Sequence, residues 1–284
     1  MLKTRILTAG VLLLAVLAAL FLLSPATWGM VTLAVVAMAA VEWARLTGLA
    51  TMARWIFAGG TLAIGGALLL SDAAGFARGW PAGMVLAVCG VASAFWIVLA
   101  PPWVIARWPT QRWRMPMAVL GWIVLIGAWM ALVELQARSP WLVLAAMGIV
   151  WIADTAAYFS GRAFGRRKLA PKVSPGKTWE GVYGAWIAVA IYAVALVPFA
   201  AAAGFNATIN APVIALWIAF VVLLASVSVV GDLFESLLKR HAGVKDSGDV
   251  LPGHGGVLDR TDALLAAMPF AALGAQLMLA KSAA

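Results

Sequence analysis

The sequence predicts an all-α, polytopic integral membrane protein of about nine transmembrane helices with cytoplasmic polar loops. Three observations predict this fold class: 64% of the 284 residues are hydrophobic, only 11% are charged, and the mean hydropathy is +1.00. A soluble domain has a more polar composition. A helix that crosses the hydrocarbon core of roughly 30 Å needs about 20 mainly apolar residues, and most of the chain consists of such runs.

Nine apolar runs account for the predicted helices in order along the chain. We place them at 6–23, 26–41, 55–70, 80–100, 116–134, 140–159, 181–203, 211–231 and 261–280. The first run resembles a signal peptide, but it exceeds the usual apolar region of about 7–15 residues, so we expect it to be retained. The third run is the weakest candidate, because its two Gly-Gly pairs would let it pack closely without crossing the membrane.

Basic residues are distributed unevenly between the two sides of this arrangement. With nine spans, 17 of the 20 Lys and Arg residues lie at the amino terminus or after the second, fourth, sixth and eighth spans. The other three are Arg78, Arg138 and Lys281. Because basic residues accumulate on the cytoplasmic side of membrane proteins, we expect the amino terminus and both polar loops in the cytoplasm and the carboxyl terminus outside.

Composition also limits the partners. The net charge of +9 forms a one-sided field that attracts anionic lipids and phosphorylated solutes, so nucleic acid is not needed to explain it. The single cysteine, Cys89, excludes an intrachain disulfide and a cysteine metal cluster within one chain. We expect Cys89 only to pack.

Carboxylates are concentrated in the second half of the chain. Eight of the eleven are Asp154, Glu180, Asp232, Glu235, Asp246, Asp249, Asp259 and Asp262. The front half keeps only Glu42, Asp72 and Glu134. We therefore divide the chain into transmembrane scaffold helices, 1–139, and a transmembrane catalytic region, 140–284, with polar loops 160–180 and 232–262.

The eighth run continues into a stretch with one polar and one apolar face. Asp232, Glu235, Ser236 and Lys239 fall at i, i+3, i+4 and i+7 of a helix. Leu233, Phe234, Leu237 and Leu238 cover another face. A surface helix with a Glu235–Lys239 ion pair of about 0.5 kcal/mol is the alternative interpretation.

The Gly- and Pro-rich residues 245–256 that follow cannot continue this helix and predict a loop. Its glycines would let backbone N–H groups approach an anion. Asp259 and Asp262 then share one face of the first turn of the ninth span, where the helix dipole favours their ionised forms. Carboxylates from two helix ends, surrounded by Lys and Arg, are what a magnesium-bound nucleotide requires.

The loop 160–180 is a second candidate for anion binding. Its SPGKT segment is not a Walker motif, because the first glycine would fall at Pro171. Ser174, Lys177 and Thr178 remain as donors, although cations beside a membrane are often only a topology signal. Asp154 lies upstream in an apolar run, where a carboxylate faces a polar cavity or, alternatively, caps or pairs near the interface.

The segment from Ser236 to Asp262 resembles the signature of phosphatidate cytidylyltransferases (CDP-diacylglycerol synthases), S-x-x-K-R-x4-K-D-x-[GSA]-x2-[LIF]-[PG]-x-H-G-G-x2-D-R-x-D. The matching residues are Ser236, Lys239, Arg240, Lys245, Asp246, Gly248, Leu251, Pro252, His254, Gly255, Gly256, Asp259, Arg260 and Asp262. The resemblance implies an enzyme of the bacterial-type inner membrane, with its site facing the cytoplasm. It would convert CTP and phosphatidate into CDP-diacylglycerol and pyrophosphate, with Mg²⁺ as cofactor.

Roles follow from the resemblance together with the residue types. We expect the catalytic residues to be Asp232, Asp259, Asp262, Lys239 and Arg260. We also expect the three aspartates to be metal ligands. As substrate-binding residues we expect Ser174, Lys177, Thr178, Lys239, Arg240, Lys245, Asp246 and His254. The expected partners are CTP and phosphatidate in the bilayer, without nucleic acid, and a homodimer is left open.

Two other functions remain alternatives. A CTP-dependent lipid kinase acting on a polyprenol-type alcohol would release CDP instead of pyrophosphate. A transporter would also carry intramembrane carboxylates, but the front half shows no repeat of the polar motif. The D-x2-D-G-x2-A-R pattern of CDP-alcohol phosphotransferases is absent from the chain.

Overall fold

The computed structural model describes residues 2–71, 79–200, 210–250, 253 and 255–282. The α-helices are α1 Leu2–Leu22, α2 Pro25–Leu46, α3 Thr51–Ser71, α4 Ala82–Ala94, α5 Ala100–Ala106, α6 Arg114–Arg138, α7 Pro140–Phe164, α8 Trp179–Ala200, α9 Ala211–His241 and α10 Leu258–Ser282. A π-helical turn, Phe95–Leu99, joins α4 to α5, and a 3₁₀ turn, Gln111–Trp113, precedes α6. Five residues named above lie outside the described residues: Asp72, Arg78, Leu251, Pro252 and His254.

Within the described residues, eight helical segments are long and apolar enough to cross a membrane. They are Pro25–Leu46, Thr51–Ser71, Ala82–Ala106, Gln111–Arg138, Pro140–Phe164, Trp179–Phe199, Ala211–His241 and Leu258–Met278. Helix α1 contributes a further, shorter apolar stretch, Gly10–Leu22. The predicted polytopic all-α membrane protein is thus confirmed, and the weak third run forms a helix of spanning length.

The loop 160–180 contains a small β-hairpin that the sequence interpretation did not predict. Strand β1, Lys168–Ala170, pairs antiparallel with β2, Ser174–Thr178, and Lys168 lies opposite Thr178. The prolines at 171 and 175 disfavour helix here. The hairpin closes against the start of α8, because the Trp179 N–H donates to the Arg167 carbonyl at 2.9 Å.

Aromatic packing fixes the end of α9 that carries the charges. Phe234 is fully buried, and its ring lies 5.3 Å from that of Phe95, 5.7 Å from Trp96 and 5.9 Å from Trp103, centroid to centroid. Leu233, Leu237 and Leu238 are buried on the same side, as the apolar face predicted. This apolar face packs against the π-helical turn Phe95–Leu99 and α5. The polar stripe of α9 therefore lies on a different side of the helix.

Helices α9 and α10 approach each other closely next to that stripe. A Cβ on Gly231 would lie 2.6 Å from the Asp262 carbonyl oxygen, so only glycine permits this crossing. Helix α9 has 31 residues and is about 46 Å long at 1.5 Å per residue. It therefore extends beyond a hydrocarbon core of roughly 30 Å, which leaves its last turns for charged side chains.

Candidate functional site

One part of the site joins the β-hairpin to α9. Lys177 on β2 places its Nζ 2.6 Å from Asp232 Oδ2, and the side chains are 23% and 30% exposed. The Ser236 hydroxyl donates to Asp232 Oδ1 at 3.3 Å, one helical turn along α9. The hairpin is itself held on α9, because Arg240 Nε donates to the Val173 carbonyl at 3.2 Å. Lys177 and Asp232 thus form an ion pair that remains open to a ligand.

A second, more deeply buried ion cluster lies further along α9. Lys239 Nζ donates to Asp259 Oδ1 at 2.6 Å and also forms an ion pair with Glu235. The exposed side-chain fractions are 14% for Lys239, 4% for Glu235 and 7% for Asp259. The surface ion pair considered from the sequence is therefore a buried three-residue cluster.

Asp259 closes the loop that follows α9. Its Oδ2 accepts the N–H of Ser247 at 2.7 Å and the N–H of Gly256 at 2.8 Å, and the Ser247 hydroxyl lies 3.0 Å away. The loop glycine thus directs its N–H group at the chain's own carboxylate, where the sequence interpretation expected an external anion. Both Asp259 oxygens are occupied by donors.

Asp262 and Asp154 are brought towards the same place by α10 and α7. Asp262 interacts electrostatically with Asp232, Lys177 and Lys239, and its Oδ1 accepts the N–H of Ala263 at 2.8 Å. Asp154 interacts electrostatically with Lys177 and Asp232. Three carboxylates and two lysines from four separate elements (α7, α9, α10 and β2) therefore share one electrostatic environment.

Several other predicted residues lie around this cluster. The Thr178 hydroxyl accepts the N–H of Gly181 at 3.2 Å and caps α8, so this contact is structural. Lys245 and Asp246 are exposed in the loop, and Arg260 is exposed on the first turn of α10. Ser174 lies in β2, paired with Ala170. The substrate-binding roles of these residues stay predictions.

A Mg²⁺ ion can be tested against the donors present. No group of three or more His, Cys, Asp or Glu side chains is arranged to hold a metal ion in the described part of the chain. Asp232 on α9 and Asp262 on α10, however, lie close enough to interact electrostatically. The buried Glu235 carboxylate is already paired with Lys239. Mg²⁺ commonly takes one or two carboxylates together with substrate phosphates, so the Asp232–Asp262 pair fits it.

The sequence interpretation missed Glu42. This carboxylate on α2 is 4% exposed and accepts hydrogen bonds from the N–H groups of Val257 and Leu258 at 2.9 and 2.8 Å and from the Ser247 hydroxyl at 2.7 Å. The signal was present, because an ionisable residue within an apolar span usually has a partner. Its partners are more than 200 positions away, so no local pattern connects this residue of the scaffold helices with the signature segment.

Lysines and carboxylates that converge at the end of one long membrane helix are suited to binding phosphorylated ligands. The family model of the cytidylyltransferase family matches residues 3–278, and the chain belongs to this family. It is therefore a nucleotidyltransferase.

Relatives match the chain over nearly its full length. A protein of Pseudomonas aeruginosa named phosphatidate cytidylyltransferase is 43% identical over 278 residues, 96% of this chain and 97% of that protein. One of the same name from Haemophilus influenzae is 36% identical over 296 residues, 95% of this chain and 97% of that protein. The similarity thus includes the front half as well as the signature segment.

Proposed function

We propose that the chain transfers the cytidylyl group of CTP to phosphatidate, forming CDP-diacylglycerol and pyrophosphate. Family membership and the names of the full-length relatives support this reaction. The structural observation that carries it is the convergence of Lys177 and Lys239, from two elements, on the carboxylates of Asp232 and Asp259. A lipid phosphate and a triphosphate both need such cations.

The reaction is an in-line displacement at phosphorus. A phosphate oxygen of phosphatidate attacks the α-phosphorus of CTP and forms the new P–O bond. The bond from the α-phosphorus to the bridging oxygen breaks, and pyrophosphate leaves with its electron pair. Lys177 and Lys239 neutralise charge as it shifts to the leaving group. No covalent bond to the protein forms.

We further propose that Asp232 and Asp262 bind Mg²⁺ together with substrate phosphates. When bound, the ion would supply charge neutralisation and polarisation of phosphate oxygens. Asp259 as a third ligand stays a prediction, since its oxygens are engaged by Lys239, Ser247 and Gly256.

We place the site at the cytoplasmic boundary of a bacterial inner membrane. The uneven distribution of Lys and Arg supports this orientation. CTP would then reach the site from the cytoplasm and phosphatidate from the bilayer. A homodimer also stays a prediction, which light scattering of the detergent-purified chain tests.

Product analysis tests the reaction directly. Purified protein in detergent is incubated with phosphatidate, a polyprenol-type alcohol, Mg²⁺ and CTP labelled at either the α- or the γ-phosphorus. We expect the α-label in CDP-diacylglycerol and the γ-label in pyrophosphate. A γ-label transferred to a lipid alcohol, with release of CDP, would identify a lipid kinase and overturn the proposal.

A further inference from the structure

Glu42 connects the front half of the chain to the signature segment. It lies one turn before the end of α2, and its carboxylate accepts from three donors of residues 247–258. Two of those donors are backbone N–H groups at the start of α10, which have no partner within their own helix. Glu42 therefore caps α10 from another helix and sets where α10 begins.

The loop backbone approaches the Glu42 carboxylate closely at two glycines. A Cβ on Gly248 would overlap with Glu42 Oε1, and a Cβ on Gly256 would overlap with Glu42 Oε2 and Ser247 Oγ. The loop therefore folds tightly around this one carboxylate. The close approach of Glu42 accounts for glycine at both positions, because any side chain there would displace the carboxylate.

Ser247 links Glu42 to the ion cluster. Its Oγ lies 2.7 Å from Glu42 Oε2 and 3.0 Å from Asp259 Oδ2, so one hydroxyl proton is shared between two carboxylates. The same Oγ accepts the N–H of Asp259 at 3.2 Å. Asp259 in turn binds Lys239. A continuous chain of contacts thus runs from α2 to the lysine on α9.

We propose that Glu42 is a positioning residue for nucleotidyl transfer. It holds Ser247 and the first turn of α10 so that Asp259 keeps Lys239 in place for the phosphates. This inference rests on the proposed function, in which Lys239 acts on the substrates. A small displacement of a group at the reacting centre lowers turnover strongly, and a misplacement of 1 Å can cost on the order of 100-fold.

Glu42→Gln tests the proposal against the matched control Glu134→Gln. The carboxamide at 42 would direct an N–H at a donor, because all three partners donate. Glu134 is also fully buried in the front half and accepts from Trp80, Arg138 and Gln276, but it touches no residue of 247–258 in the described structure. Both variants lose a buried carboxylate, and only Glu42→Gln disturbs the signature segment.

Turnover and apparent affinity are measured on folded protein, selected by size exclusion and checked by tryptophan fluorescence. We expect Glu42→Gln to lower kcat at least about tenfold with KM for CTP within about threefold, and Glu134→Gln to keep kcat within about threefold. Ser247→Ala should lower kcat in the same way. In the double variant Glu42→Gln/Ser247→Ala, kcat should be less than about twofold lower than in Glu42→Gln alone, because both changes interrupt one chain of contacts.

Three results would overturn the inference. The first is a kcat of Glu42→Gln equal to that of Glu134→Gln. The second is a change in KM for CTP without a change in kcat. The third is a double variant whose loss of kcat equals the product of the losses from Glu42→Gln and Ser247→Ala. If Glu42→Gln does not fold, Ser247→Ala decides alone, and an unchanged kcat refutes the proposal. An inactive wild-type chain would instead refute the proposed function, so the two failures are distinguishable.

Discussion

Replacing Lys239 with methionine separates the stabilising role of this cation from its role in the reaction. Lys239→Met leaves Glu235 and Asp259 as two carboxylates that are 4% and 7% exposed and have lost their shared cation. Breaking a buried ion pair by removing one partner costs about 3–5 kcal/mol. We expect a loss of unfolding free energy in this range, and a fall in turnover of about a hundredfold or more because the phosphates lose a charge contact.

A second variant distinguishes these two losses. In Lys239→Met/Glu235→Gln the remaining Asp259 carboxylate still accepts from Ser247 and Gly256, so at least half of the lost stability should return. Activity should not return, because the cation is still missing. The 15 tryptophans report unfolding in detergent, and pyrophosphate release reports turnover. Recovery of both properties would show that Lys239 only neutralises Glu235, and recovery of neither would refute the ion-cluster reasoning.

Three further predictions concern Asp232 as a metal ligand, the requirement for a divalent metal, and the orientation of the protein in the membrane. Asp232→Asn should lower turnover at least about a hundredfold, because the metal loses an anionic ligand. Asp249 is exposed, so Asp249→Asn should keep turnover within a few fold of the wild-type value. Equal losses in the two variants would indicate a general charge effect. Exhaustive chelation should abolish turnover, and added Mg²⁺ should restore it. Ca²⁺ should support little turnover, because its coordination shell is larger and looser. Full turnover without a divalent metal would contradict the metal site. In a Cys89→Ser background, cysteine at the exposed Val250 should react with an impermeant reagent only from the cytoplasmic side, and labelling only from outside would reverse the topology.

The sequence alone was sufficient to predict those features of the structure that depend on residues close together in the chain. Hydropathy over about 20 residues predicted the helices, because a membrane-spanning backbone must satisfy its hydrogen bonds within the segment. The 3.6-residue period separated the buried Phe234 face of α9 from its polar stripe. The spacing of charged residues from Ser236 to Asp262 indicated the family, which the match over residues 3–278 confirms.

Only the tertiary structure decided which charges meet. Whether Lys239 pairs with Glu235 alone or also with Asp259 depends on the crossing of α9 and α10, and no local pattern encodes that crossing. The β-hairpin that brings Lys177 to Asp232 was likewise hidden in a basic loop. The Glu42–Val257 hydrogen bond joins residues 215 positions apart. Such contacts depend on how whole helices pack, because burial must provide a donor for each carboxylate wherever in the chain that donor lies.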